Sequence, residues 1–154
     1  MADTKPRLDQ IWGTSELLPP GRILDLSILG EGISWLPPVF WHERMFFHGA
    51  RDRDLRSVTG AFPATFDRLR HTHPIFVVKL LGDLGHRVCP CSSKNWGAAR
   101  FIRKGCILEV TGREQDRDSF LVEQYSFNLP SDPAFTEGLR FMGVVPEICL
   151  ECCD

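Results

Sequence analysis

The stretch "HTHPIFVVKLLGDLGHRVCPCSSK", residues 71–94, carries the strongest structural signal in the chain. Its run from Ile75 to Leu81 is apolar and rich in β-branched and aromatic residues, "GDLG" supplies a four-residue turn, and His86 to Ser92 returns. That pattern predicts a β-hairpin. With Leu81 paired to His86, Ile75 falls opposite Ser92, and opposed residues in an antiparallel pair lie about 5 Å apart at Cα. His73 then meets Ser92, Ser93 and Lys94 at the open end of the hairpin. Pro90 cannot donate to a ladder, so a bulge, a strand edge or an early strand end is expected there, turning Cys91 and Ser92 outward.

Working outward, "ELLPPGRILDLSI" turns at Pro19, Pro20 and Gly21 and leads into a first strand over about residues 22–28. The segment "GEGISWLPPVFWHERMFFHGARDRDLRSVTG" mixes aromatics with turn residues, and a helix over about 41–57 is the expectation. Trp35, Trp41, Phe46 and Phe47 read as core, with a partner-binding patch as the alternative. Downstream, "RFIRKGCILEVTG" and "DSFLVEQYSFN" predict strands over about 101–111 and 118–127, joined by the polar turn "GREQDR". "SDPAFTEGLRFMG" opens with a capping Ser or Asp and Pro133 at the first helical position, and it closes at Gly143 as a short helix. A second helix is expected to start near Pro146. The fold class that follows is mainly β, a small antiparallel, partly closed five-stranded barrel with added helices.

With 154 residues the chain reads as one domain, 1–154. Composition is ordinary for a globular protein, with 43% hydrophobic and 25% charged residues, and no apolar run reaches the roughly 18 residues that cross a membrane. The start "MADTKPRLDQIW" has no apolar signal-peptide core, so a cytoplasmic location is expected, with the six cysteines mostly as reduced thiols. Net charge is only −2, but residues 66–104 carry a net +6, which makes the middle of the chain its anion-facing part.

The run "VCPCSSK" resembles the Pro-Cys-Thr-Thr type segment of the MazF/PemK family of endoribonuclease toxins, and "HPIFVV" resembles that family's Arg-Pro-apolar strand. In the same order, "PGRILDL" is similar to its Gly-Asp-hydrophobic first strand, and "EVTGREQDRDSFLVEQ" to its strand, turn and strand ending in an Ala-Asp-Gln-like triplet. "GVVPEICL" is similar to its closing Gly-x-Val-x-Pro-Glu helix. Together these pieces cover about 90 of the 154 residues. The resemblance implies a barrel of MazF/PemK type, a homodimer, a metal-independent cut in single-stranded RNA and an antitoxin protein that covers the site. Residues 30–72 then read as an insertion between the first two barrel strands, and His73 stands where the family has Arg.

Cleaving RNA through its own 2′-hydroxyl needs a proton acceptor, a proton donor for the leaving 5′-oxygen, and charge or donors on the phosphate. His73 has the titration range for either proton transfer, and Ser92 is the partner catalytic candidate. Ser92 and Ser93 can donate to a phosphate oxygen, while Arg70 and Lys94 can neutralise it. The plainer readings are a strand-end histidine and turn-capping serines. Cys89, Cys91, His71 and His73 lack paired C-x-x-C knuckles, so neither a metal nor a cofactor is expected. Because Arg supplies a permanent charge and a bidentate fork that His lacks, the alternative function is a non-catalytic barrel acting as a protein- or RNA-binding module, its surface made by the aromatics of residues 30–60.

Overall fold

The computed structural model describes residues 35–62, 71–82 and 85–153. The 71–94 stretch folds as the expected hairpin: β2 (Thr72–Leu80) pairs antiparallel with β3 (His86–Ser92). The register differs from the simple count. Leu80 rather than Leu81 pairs with His86, and the ladder slips between Val77 and Lys79, so Ile75 faces Pro90 instead of Ser92. An extra residue in one strand is absorbed as a bulge, which local sequence does not announce. Continued two residues past Ile75 and Pro90, this register puts His73 level with Ser92.

Pro90 sits inside β3, in the interval between Arg87–Val88, paired with β6 (Phe127–Asn128), and Cys91–Ser92, paired with β5 (Ser119–Leu121). A residue without an N–H is tolerated at such a break, while its carbonyl still accepts from Val122 N at 2.9 Å. Cys91 and Ser92 are consequently buried rather than turned outward.

Segment 41–57 departs most from its expected helix. It forms β1 (Met45–Arg51) and then α1 (Asp52–Thr59), which ends at Gly60 with φ 87°. Phe46 and Phe47 decide this, because alternate aromatics can pack on both faces of a strand between two cores. Trp41, Phe46 and Phe47 are indeed core, at 0%, 0% and 1% exposure. They form no docking patch; only Trp35 among the four is exposed.

The remaining strands are shorter than expected. β4 is Arg100–Ile102, and the expected 118–127 strand is broken into β5 and β6 by a 3-10 turn over Glu123–Tyr125. α2 spans only Pro133–Thr136, with Asp132 Oδ1 accepting from Ala134 N at 2.9 Å, and the chain then returns as β7 (Arg140–Val144) instead of continuing helical to Gly143. Near Pro146 a 3-10 turn (Glu147–Cys149) replaces the second helix and feeds β8 (Leu150–Cys152). In each case pairing with a strand far along the chain, β1 for β7 and β4 for β8, outweighs weak local helix signals.

The fold is mainly β: among the described residues eight antiparallel strands curl into a half-barrel in the order β7-β1-β2-β3-β5-β4-β8, with β6 beside β3. The five strands expected include one over 22–28 that lies outside the described residues. Ile75 and Val77 enter one core with Trp41, Phe47 and Phe62, while Phe76 enters a second with Phe46, Cys91 and Leu121. Opposite faces of the same strand are therefore both covered, which accounts for the unbroken apolar run "IFVV". The second core also holds a Cys106–Cys149 disulfide with Cα atoms 5.8 Å apart, so these two cysteines are not the reduced thiols expected. Among the described residues no helix is long and apolar enough to cross a membrane.

Candidate active site

His73, Ser92, Ser93 and Lys94, singled out from sequence, line one cavity of about 480 Å³ at the open end of the β2–β3 hairpin. Arg70, the other expected phosphate ligand, lies outside the described residues. His73 is held from behind. Its Nδ1 lies 2.6 Å from Asp52 Oδ1, and both side chains are buried. The fold makes this contact because β1 pairs Ala50 with His73 and α1 then begins at Asp52, whose backbone N donates to His71 O at 3.0 Å. The ring also meets the edge of Phe62, with centroids 5.2 Å apart.

A carboxylate that accepts from Nδ1–H fixes the tautomer, so proton exchange toward the cavity runs through Nε2. Among the described residues Asp52 Oδ2 has no hydrogen-bond partner, while Oδ1 meets His73.

Ser92 Oγ accepts from Lys94 N and from Trp96 Nε1, each at 3.1 Å. A hydroxyl offers two lone pairs and one proton, so the group it retains for chemistry is its O–H. Ser92 therefore suits donation to an anionic oxygen better than nucleophilic attack. Ser93 and Lys94 are exposed at the cavity rim.

Several wall residues were not singled out from sequence. His48 enters from β1, Gln115 and Arg117 from "GREQDR" (112–117), which reads only as a polar turn, and Ser119 from the start of β5. Gln115 Nε2 donates to Ser119 Oγ at 3.2 Å, which holds that wall in place. Burial, and next the Arg140 guanidinium, push the His48 pKa below its usual 6.5. Asp52 sits 21 residues from His73, with no local motif to flag the pair. His71 also lines the cavity, its ring centroid 6.0 Å from that of His73.

Among the described residues, no three His, Cys, Asp or Glu side chains are grouped to hold a metal ion. Cys89 and Cys91 are buried free thiols, and burial foremost, with Cys89 beside it, pushes the Cys91 thiol well above its usual range. Such a thiol is a poor nucleophile. No protein-family model, curated protein or solved structure matches the chain.

The cavity combines an oriented imidazole, a hydroxyl donor and exposed cations on Lys94 and Arg117. That set can move a proton at a hydroxyl while holding a phosphodiester oxygen. It has the parts for transfer at phosphorus without a covalent intermediate.

Proposed function

We propose that the chain is a MazF/PemK-like, toxin-type endoribonuclease that cleaves single-stranded RNA without a metal ion at the cavity between β1, β2 and β3. The observation that carries this reading is His73, backed by Asp52, lining the same cavity as Ser92. His73 moves a proton, Ser92 and Ser93 donate to a non-bridging phosphate oxygen, and Lys94 and Arg117 supply charge to the backbone. The family Arg at the His73 position supplies permanent charge. In this chain Arg117 brings charge from another strand connection, and Asp52 neutralises the His73 ring when it carries a second proton.

In this reading the half-barrel is an elaborated five-stranded barrel of MazF/PemK type, with residues 30–72 as the elaboration, and the working unit is a cytoplasmic homodimer. An antitoxin protein that covers the cavity is its regulatory partner. The collinear sequence resemblance and the mainly β architecture support this.

The test is cleavage of single-stranded RNA by purified protein in the presence of EDTA, comparing wild type with His73→Ala and Ser92→Ala. Wild type is expected to cut and leave a cyclic phosphate, and each variant to slow by ~10²-fold or more. Wild type that leaves RNA intact, or cleavage that both substitutions leave unchanged, refutes the enzymatic reading.

A further inference from the structure

We propose that His48 is the second proton-transfer residue of the cavity, the general base toward the ribose 2′-hydroxyl, with His73 as the acid for the leaving 5′-oxygen. This rests on the RNA-cleaving reading above.

The backbone of β1 is built around this residue. Its register slips against β2 between Phe47 and Ala50, and against β7 between Phe46 and Phe47. Regular alternation from Phe46 carries His48 and Ala50 to the same face, yet Ala50 joins Met45 and Phe47 in the core on the other side. The interruption is therefore at His48 and Gly49. Gly49 has φ 101°, and a Cβ there would lie 2.7 Å from Gly138 O, so only glycine fits. Bulges re-aim side chains and concentrate next to active sites. Here the bulge delivers an imidazole to the cavity wall.

The environments of the two imidazoles differ. His48 lies opposite Arg140 in β7, with its ring 5.4 Å from that of Phe46, and Arg113, Arg117 and Asp116 act on it from the adjoining turn. His71 and His73 share its cavity from β2. Burial and Arg140 favour the neutral ring, against Asp116, and a neutral ring is the form that accepts a proton. His73 instead has a carboxylate on Nδ1, which balances the charge of a doubly protonated ring about to donate.

The step balances as follows. His48 takes the 2′-hydroxyl proton, the 2′-oxygen bonds to phosphorus, the P–O5′ bond breaks, and His73 Nε2–H protonates the departing oxygen. The products are a 2′,3′-cyclic phosphate and a 5′-hydroxyl, and the two rings reset by exchanging protons with water.

Two substrates separate the roles, because uridine 3′-(4-nitrophenyl phosphate) has a leaving group that departs without a proton. His48→Gln is expected to slow both this ester and single-stranded RNA by ~10²-fold or more, while His73→Gln slows RNA comparably and the ester by less than ~10-fold. Binding of a 2′-O-methyl oligonucleotide reports folding, and His48→Asn serves as the second variant. Wild-type kcat/KM on the ester is expected to fall in acid along a limb with its midpoint below 6.5, the usual imidazole value. An active wild type whose His48 variants stay within ~3-fold of it, a reversed substrate pattern, or no such acid limb overturns the assignment alone. Wild type inactive on RNA overturns the assignment and the functional reading together.

Discussion

Asp52 Oδ1 lies 2.6 Å from His73 Nδ1, and the two residues, 21 apart in sequence, are 3% and 7% exposed. The contact joins the first residue of α1 to the second residue of β2, so it ties the fold of residues 45–59 to the hairpin that carries Ser92.

Breaking this pair from one side strands a buried polar group. His73→Ala leaves Asp52 without its Nδ1 partner, and Oδ2 has none among the described residues. A loss of about 3–5 kcal/mol is expected. Replacing both residues with apolar side chains is expected to be milder than the sum of the single changes, with a coupling of about 1–3 kcal/mol. A double-mutant cycle in urea checks this, and strict additivity would refute the coupling.

The cavity cations make a salt prediction that does not depend on catalysis. Lys94 and Arg117 are exposed at the cavity wall. If each holds a phosphate, Lys94→Ala and Arg117→Ala each flatten the slope of log affinity against log salt by about 0.7, the single-strand increment per contact. Fluorescence anisotropy with a labelled single-stranded oligonucleotide reads it. Arg103→Ala, at a residue paired with Glu151 away from the cavity, is the comparison expected to leave the slope unchanged.

The Cys106–Cys149 bond spans 43 residues, so chain entropy alone assigns it about 4 kcal/mol of stability. The variant carrying Cys106→Ala and Cys149→Ala is expected to unfold at lower denaturant by that order, and reductant to bring wild type toward it. Cys152→Ala, at an exposed free thiol, is expected to shift stability by less than about 0.5 kcal/mol. Equal effects of the two replacements would remove the assigned role of the disulfide.

Stability is expected to fall on the acid side of neutrality. Burial pushes the His86 pKa below 6.5, against weaker opposition from the backbone carbonyls of Trp41 and Pro38, and His48 shifts the same way. The unfolded chain then binds more protons than the folded one as pH drops through the usual imidazole range. The contribution is complete above about pH 6.5 and is lost below it. Denaturation midpoints measured from about pH 5 to 8 check the sign, and His86→Gln should flatten the acid limb; a profile rising toward acid would contradict it.

The hairpin was legible because its signal is local: "HPIFVVKLL", a four-residue turn and "HRVCPCSS" specify two antiparallel strands wherever they occur. With the further strand signals downstream it pointed to the mainly β class, and it put His73 at the same hairpin end as Ser92 and Lys94, though not the register that levels His73 with Ser92. The burial of Trp41, Phe46 and Phe47 was equally readable, since large apolar side chains leave water wherever the fold permits.

What sequence did not carry was anything set by distant pairing. Strands of two or three residues such as β6 and β8 have no periodicity to detect, and they exist because β3 and β4 offer them unpaired backbone. The bulge that presents His48, the slip that levels His73 with Ser92, the approach of Asp52 and the Cys106–Cys149 bond are all of this kind. Sequence alone determined the β2–β3 hairpin, because hydrophobic alternation and turn chemistry act between neighbours. Tertiary structure decided which imidazole is backed by a carboxylate and which faces Arg140, because hydrogen-bond register and burial bring together residues that the chain keeps far apart.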